Sequence, residues 1–298
     1  MIMKGYILLL LLFLCVKNGF SQTKADFSDL KPLSHEEFKE LGKRDLNRVN
    51  KRPYIVKYKH ASGGELFYFG SSHTYDPKDK ILEKIDSAWL SFKPEVVLWE
   101  GGNPDRNSNL PENINEAIIQ KGEPGFVRFL ANKRGIKDYT LEPSSITVIK
   151  ELQRGFNDKE ILVQVILTQV EQQIRKGASE TALDSLVFTY LQRSKIFNFT
   201  DVPTDLSSFQ KAVDEILPSL NNWKKVKLDM IAPKSLKDSN INVLQKIAAT
   251  SNEIRDKHMI KLLVTEVKNG KRVFAVVGAS HVVIQEPALC QFFGVKYR

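Results

Sequence analysis

Two cysteines in 298 residues, Cys15 and Cys290, are too few for a disulfide framework. Neither a CxxC pair nor a Cys/His zinc spacing occurs, so thiolate metal centres are excluded and stability has to come from a packed core. The G-x-S-x-G signature of a serine nucleophile elbow is absent as well. No apolar run reaches the ~20 residues that a bilayer-spanning helix requires. Charge of one sign is never concentrated: the 44 Lys and Arg are interleaved with 35 Asp and Glu, as in residues 39–52 and 221–229. That pattern describes a solvated surface rather than a nucleic-acid groove, and no nucleic-acid partner is expected.

What is present begins with MIMKGYILLLLLFLCVKNGFSQ. Lys4 precedes a ten-residue apolar run at 7–16, and the small residues Gly19 and Ser21 follow, the layout of a secretory signal cleaved between Ser21 and Gln22. Ten apolar residues are too short for an uncleaved anchor. Leu14 stands where lipid attachment would want Gly, Ala or Ser. The expectation is an exported protein, periplasmic or secreted, carrying Cys290 alone. Its net charge falls from +9 to +7, because residues 1–21 hold Lys4 and Lys17 and no acid. That excess is compatible with peripheral association with an anionic membrane surface. With 42% apolar and 27% charged residues, the chain has the proportions of a globular protein with a sizeable core.

After a polar segment at 22–53, YIVKYK (54–59), a turn at ASGG and ELFYF (65–69) predict a hairpin. A helix follows from Pro77, with Ile81, Ile85, Ala88, Trp89 and Phe92 on one face, Asp76 placed to cap it and Pro94 ending it. EVVLWE (95–100) reads as a strand, so strand, helix and strand form a unit with parallel strands. A second helix is expected over 124–135 and a third strand over 138–143. Helical spacing dominates from Ser144 to about 266, and the last helix covers 241–268. RVFAVVG (272–278) is a buried strand, PALCQFFG a further helix and VKYR a closing edge strand. The fold class is α/β: a mainly parallel central sheet built from both ends of one domain (54–298), with a large helical insertion at about 144–240.

Ligands of parallel α/β sheets bind beyond the carboxyl ends of the strands. His73 lies four residues past Phe69, Glu100 directly after Trp99, Glu142 directly after Leu141 and His281 three past Gly278. Gly70 and Gly278 allow tight strand exits that bring the backbone close to whatever binds. Imidazole exchanges protons near neutrality or ligates metals, so the two histidines are candidates for either chemistry. Glu100, after a buried run and before Gly101 and Gly102, needs a cation or a metal as partner. Glu142 reads equally as a site carboxylate or as a cap for the next helix. Ser72 and Ser280 read as turn residues. Arg255, four before Met259 on one helix face, places a guanidinium at the margin of an apolar stripe, with Asp256 a weaker candidate beside it.

Together GSSH (70–73), the strand ending at Glu100, RDKHM (255–259) and GASH (278–281) resemble the ordered motifs of the TraB/GumN/Tiki superfamily, similar in outline to the erythromycin-esterase-like and ChaN-like proteins. Ala279-Ser280 departs from the commoner glycine-bearing second motif. The resemblance runs from about residue 54 to the end, leaving the helical middle unmatched. It implies an α/β site in which His73, Glu100 and His281 converge near Arg255. Tiki-type members are metal-dependent peptidases, esterase-like members hydrolases with a histidine base, and ChaN-like members haem binders. Two imidazoles and a carboxylate would suit Mn²⁺, Co²⁺, Fe²⁺ or Zn²⁺. The expectation is an exported hydrolase cleaving an amide (peptide) or ester bond of a small-molecule or peptide substrate, with a haem- or ligand-binding protein as the alternative.

Overall fold

The computed structural model describes residue 27 and residues 29–102, 111–235 and 239–297. The expected signal at 1–21 lies outside the described residues. Among the described residues, no helix is long and apolar enough to cross a membrane.

Among the described residues five strands make one sheet: β1 (Tyr54–Lys59), β2 (Glu65–Ser71), β3 (Val96–Trp99), β4 (Lys137–Thr140) and β5 (Arg272–Gly278), in the order β1-β2-β5-β3-β4. Only β1 runs antiparallel to its neighbour, as a hairpin with β2 must. The pairs β2–β5, β5–β3 and β3–β4 are parallel. The mainly parallel α/β class is what the sequence predicts. The strands around the first helix are parallel too, but β5 lies between them.

The alternation along β5 explains its central place. Val273, Ala275 and Val277 enter one core, with Leu66, Tyr68 and Leu98; Phe274 and Val276 enter the other, with Phe67, Phe69 and Val97. Each face is covered by helices. Against the Phe274 face lie α3 (Lys80–Phe92), through Ile81, Ile85 and Trp89, and α4 (Ile114–Lys133), through Ile118, Phe126 and Val127. Against the other lie α10 (Val243–Lys268) and α11 (Ala279–Phe293), through Met259, Leu263, Val264, Val282 and Val283. Fully burying a side chain of this size contributes about 1.5–3 kcal/mol, so the two layers fix the strand order.

Several boundaries differ from the sequence expectation, each for a physical reason. Asp79, not Asp76, caps α3 by accepting from the Ile81 amide. Asp76 instead accepts from Lys78 N in the preceding turn, which closes through Asp79 N to Asp76 O. The helix expected at 124–135 is the second half of α4, which begins at Ile114 and breaks at Gly122 (φ 64°). Its first half also buries Ala117 and Ile118. The second GxSH stretch is not a loop: α11 starts at Ala279, directly on the end of β5, and absorbs the helix expected at PALCQFFG. The closing edge strand is absent, since residues 295–297 form no strand; Tyr297 lies under the Arg48 guanidinium, 4.6 Å from its ring centroid, instead of pairing with a sheet edge. The polar segment is partly helical: α1 (His35–Arg44) opens on a Ser34–Glu37 capping box, and α2 (Leu46–Asn50) follows at once. Leu41 of α1 is buried in the sheet's α10–α11 core.

Between β4 and α10 the chain runs through α5 (Ser145–Leu152), α6 (Asp158–Arg175), α7 (Glu180–Arg193), α8 (Leu206–Ile216) and α9 (Leu228–Ile231). These build a core of their own around Ile166, Val170, Val187, Phe209 and Trp223. A smaller cluster of Ile149, Leu152, Ile161 and Ile247 ties α5 and α6 to α10.

Candidate functional site

Register brings the separated motifs together. Ser71 pairs with Gly278, so the residues after β2 and β5 emerge side by side. Trp99 pairs with Val276, and the Glu100 N–H donates to Val276 O, which leaves Glu100 at the same edge. The Leu141 N–H donates to Trp99 O, placing Glu142 next along.

Glu100 is the hub. Its Oε2 accepts from the Gly278 N–H at 2.5 Å and lies 4.0 Å from His73 Nε2. Its Oε1 lies 3.3 Å from His281 Nε2 and 3.6 Å from an Arg255 nitrogen. Burial by itself would raise this carboxyl, but hydrogen bonding and charge from His281, the Gly278 amide and Arg255 outweigh it and hold the pKa at about 2. The carboxylate after VVLW therefore has the cationic partners its depth demands.

His281 sits in the first turn of α11 between two carboxylates. Its Nδ1 donates to Asp256 Oδ1 at 2.8 Å, and Nε2 faces Glu100. Burial would lower its pKa, yet the bonds to Asp256 and Glu100 raise it to about 10, so this imidazole holds its proton at neutrality. His73 differs: it follows β2 in a left-handed conformation (φ 61°), and its side chain is 56% exposed. Beneath His73 and Glu100 lies Gly278, where a Cβ would come 2.5 Å from His73 Nε2 and 3.3 Å from Glu100 Oε2. Gly70 is required by packing instead, since a Cβ there would meet the Ala279 backbone at 2.7 Å.

Glu142 does not cap α5; Ser144 does, by accepting from Thr147 N. Glu142 instead receives both ends of the Arg255 guanidinium, Nε at 2.8 Å and a terminal nitrogen at 2.6 Å. This forked geometry aims Arg255 at Glu100. Ser72 and Ser280 make no side-chain hydrogen bond among the described residues, so their turn role is not seen; Ser280 lies within α11. Two contributors went unnoticed in the sequence. Gln285, fully buried one helical turn after His281, donates to Asp256 Oδ1 at 2.6 Å, and Tyr68 donates to Gln285 Oε1 at 2.8 Å. The spacing of four would have pointed to Gln285 only if the stretch at 278–281 had been read as the start of a helix.

The donor chemistry of His73, Glu100 and His281 fits a first-row divalent ion. Asp256 fixes the His281 ring and leaves Nε2 facing inward, the usual support of a metal-bound imidazole. The space left by Gly278 lies between His73 and Glu100. As they stand, no three such groups among the described residues are gathered closely enough to hold an ion. The widest gap is the one at the exposed His73 ring, the side chain freest to move.

Beside the cluster opens a cavity of about 870 Å³, running from Gly101, Gly102, Glu142 and Arg255 to the insertion, whose α5, α6 and α9 line it through Ile149, Leu152, Val165 and Ile231. A smaller hollow of about 390 Å³, lined by Lys57, Phe67, Phe92 and Arg272, lies at the opposite sheet edge, away from these groups. Compared with known proteins, the chain matches no family model, and no curated protein or solved structure is found similar to it.

Proposed function

We propose that the chain is a hydrolase of amide or ester bonds, with the reacting carbonyl held over Glu100 between His73 and His281. The observation that carries this reading is the meeting of two imidazoles and one carboxylate, from segments about 200 residues apart, beside a cavity of ligand size. Neutralisation of Arg255 by Glu142 leaves a rigid, oriented guanidinium at the margin of the cluster, suited to a developing oxyanion. His281 holds a proton at Nε2 that can be given to that oxygen or to a leaving group. His73, exposed and lightly held, is the group with room to accept a proton from an attacking water. The apolar wall of the cavity takes the remainder of the substrate.

His73, Glu100 and His281 are the residues that would hold a divalent ion; it would take the ring nitrogens that otherwise give and accept the proton, so the ion and those proton roles are alternatives. Such an ion would supply carbonyl polarisation and a water that ionises near neutrality.

The test is hydrolysis of p-nitrophenyl acetate and of quenched fluorescent peptides by purified protein, before and after chelation and with Mn²⁺, Co²⁺, Fe²⁺ or Zn²⁺ added back. Chelation is expected to reduce turnover at least about tenfold, with recovery on add-back. His73→Ala and Glu100→Gln are each expected to lower kcat about a hundredfold or more. Turnover that ignores chelation but vanishes in His73→Ala removes the metal and leaves the hydrolase. Absence of turnover by the wild-type protein on every probe removes the hydrolase, and full turnover in a variant carrying both His73→Ala and Glu100→Gln removes this cluster as its site.

A further inference from the structure

An exposed histidine in a left-handed backbone conformation needs something to keep it there. A non-glycine residue at positive φ is disfavoured because its Cβ crowds the following carbonyl, and the His73 ring itself is more than half exposed. Its position over Gly278 must therefore be set from the backbone side. The next residue, Thr74, is buried, and its N–H donates at 3.0 Å to Oε1 of Glu123, a carboxylate that is 1% exposed. Among the described residues this is the only hydrogen bond found for the Glu123 side chain.

Glu123 stands at the break in α4. Gly122, at φ 64°, turns the helix so closely against the loop after β2 that a Cβ there would fall 2.7 Å from Thr74 O. Pro124 follows and cannot donate to the turn before it. The break thus places a glycine against the carbonyl of Thr74 and a buried carboxylate against its amide. Thr74 closes the loop further, its Oγ1 accepting from Asp76 N at 3.1 Å. A buried carboxylate is a costly way to satisfy one amide if only stability is at stake.

We propose that Glu123, set by the Gly122 break, is the positioning residue for His73: it clamps the Thr74 amide and thereby holds the His73 imidazole over Gly278 and Glu100. It touches neither substrate nor ion. The inference rests on the hydrolase reading for the use made of His73, but the clamp itself is testable without turnover.

The experiment compares wild-type protein, Glu123→Gln, Glu123→Ala and His73→Ala, by the NMR signals of the His73 ring and by kcat and KM on p-nitrophenyl acetate. Glu123→Gln keeps an oxygen acceptor for Thr74 N in nearly the same volume, and is expected to retain the wild-type ring signals and kcat within about threefold. Glu123→Ala is expected to shift the His73 ring signals and to lower kcat about ten- to a hundredfold with KM little changed, the scale of a misplaced catalytic group. Wild-type His73 signals and kcat in a folded Glu123→Ala protein overturn the proposal. If His73→Ala keeps full turnover, the catalytic role given to His73 in the hydrolase reading fails on its own, and the ring signals of the wild-type and Glu123 variants still decide the clamp. Should Glu123→Ala not fold, amide hydrogen exchange in the wild-type protein decides: Thr74 N–H must be protected, and exchange at the rate of a free loop amide overturns the proposal.

Discussion

At Gly278 the backbone passes beneath two of the site's groups in a conformation open to any residue (φ −59°, ψ 139°), so side-chain volume alone demands glycine there. Gly278→Ala should therefore separate folding from function. Its Cβ displaces the exposed His73 ring, at a stability cost of less than about 1 kcal/mol, while kcat on an ester probe falls about a hundredfold. Thermal melting beside kinetics checks it, and equal loss of both would assign Gly278 to the core. The same scale shows what sequence reasoning reaches. His73, Glu100 and His281 stand out because strand ends and glycine-flanked turns mark them locally, and Arg255 because it shares a helix face with Met259. Glu142 is marked by its strand end too but stays undecided between site and cap, because its partner Arg255 is 113 residues away and no local pattern distinguishes a cap from half of an ion pair. Glu123 is hidden for the same reason: the hydrogen bond found for its side chain reaches back 49 residues to the Thr74 amide.

At the scale of elements, the β1–β2 hairpin is packed tightly on the end of α10. A Cβ on Gly64 would lie 2.0 Å from Val267 O, a backbone atom with nowhere to go. Gly64→Ala should accordingly destabilise by about 3 kcal/mol, read from the urea midpoint at unchanged m-value. A change below about 1 kcal/mol would mean that the hairpin shifts freely. Strand limits were close to legible, since β5 is the 272–278 run and β1 the 54–59 run. Helix starts were less so. Gly-Ala-Ser-His has the composition of a turn, yet burial of Ala279, Val282 and Val283 on the sheet carries it into α11. The first half of α4 escaped because Gly122 and Pro124 interrupt the 3.6-residue repeat.

For the whole molecule, the pH dependence of stability should carry the mark of His281. Its pKa is raised to about 10 by Asp256 and Glu100, so its contribution is fully present below its ordinary pKa of 6.5 and is lost as pH rises through about 10. In metal-free protein, unfolding free energy should fall over that window with a slope of up to about 1.4 kcal/mol per pH unit. His281→Asn should flatten it, and an unchanged slope would mean the imidazole is not paired as described. Depression of Glu100 to about 2 acts at the other end, its stabilisation vanishing as pH falls through that value. What no segment of the sequence announced was the strand order, because pairing between β5 and both β2 and β3 is decided by contacts across about 200 residues.

That order has a consequence in time. The middle strand of the sheet is the last to be synthesised, and until it arrives β2 and β3 have no common neighbour. A nascent or broken chain ending before residue 272 would lack the strand that joins β2 to β3, and His281 with it. Such a chain would hold Glu100 without the Gly278 amide and the His281 imidazole that face it, so the gathered cluster exists only once β5 is in place.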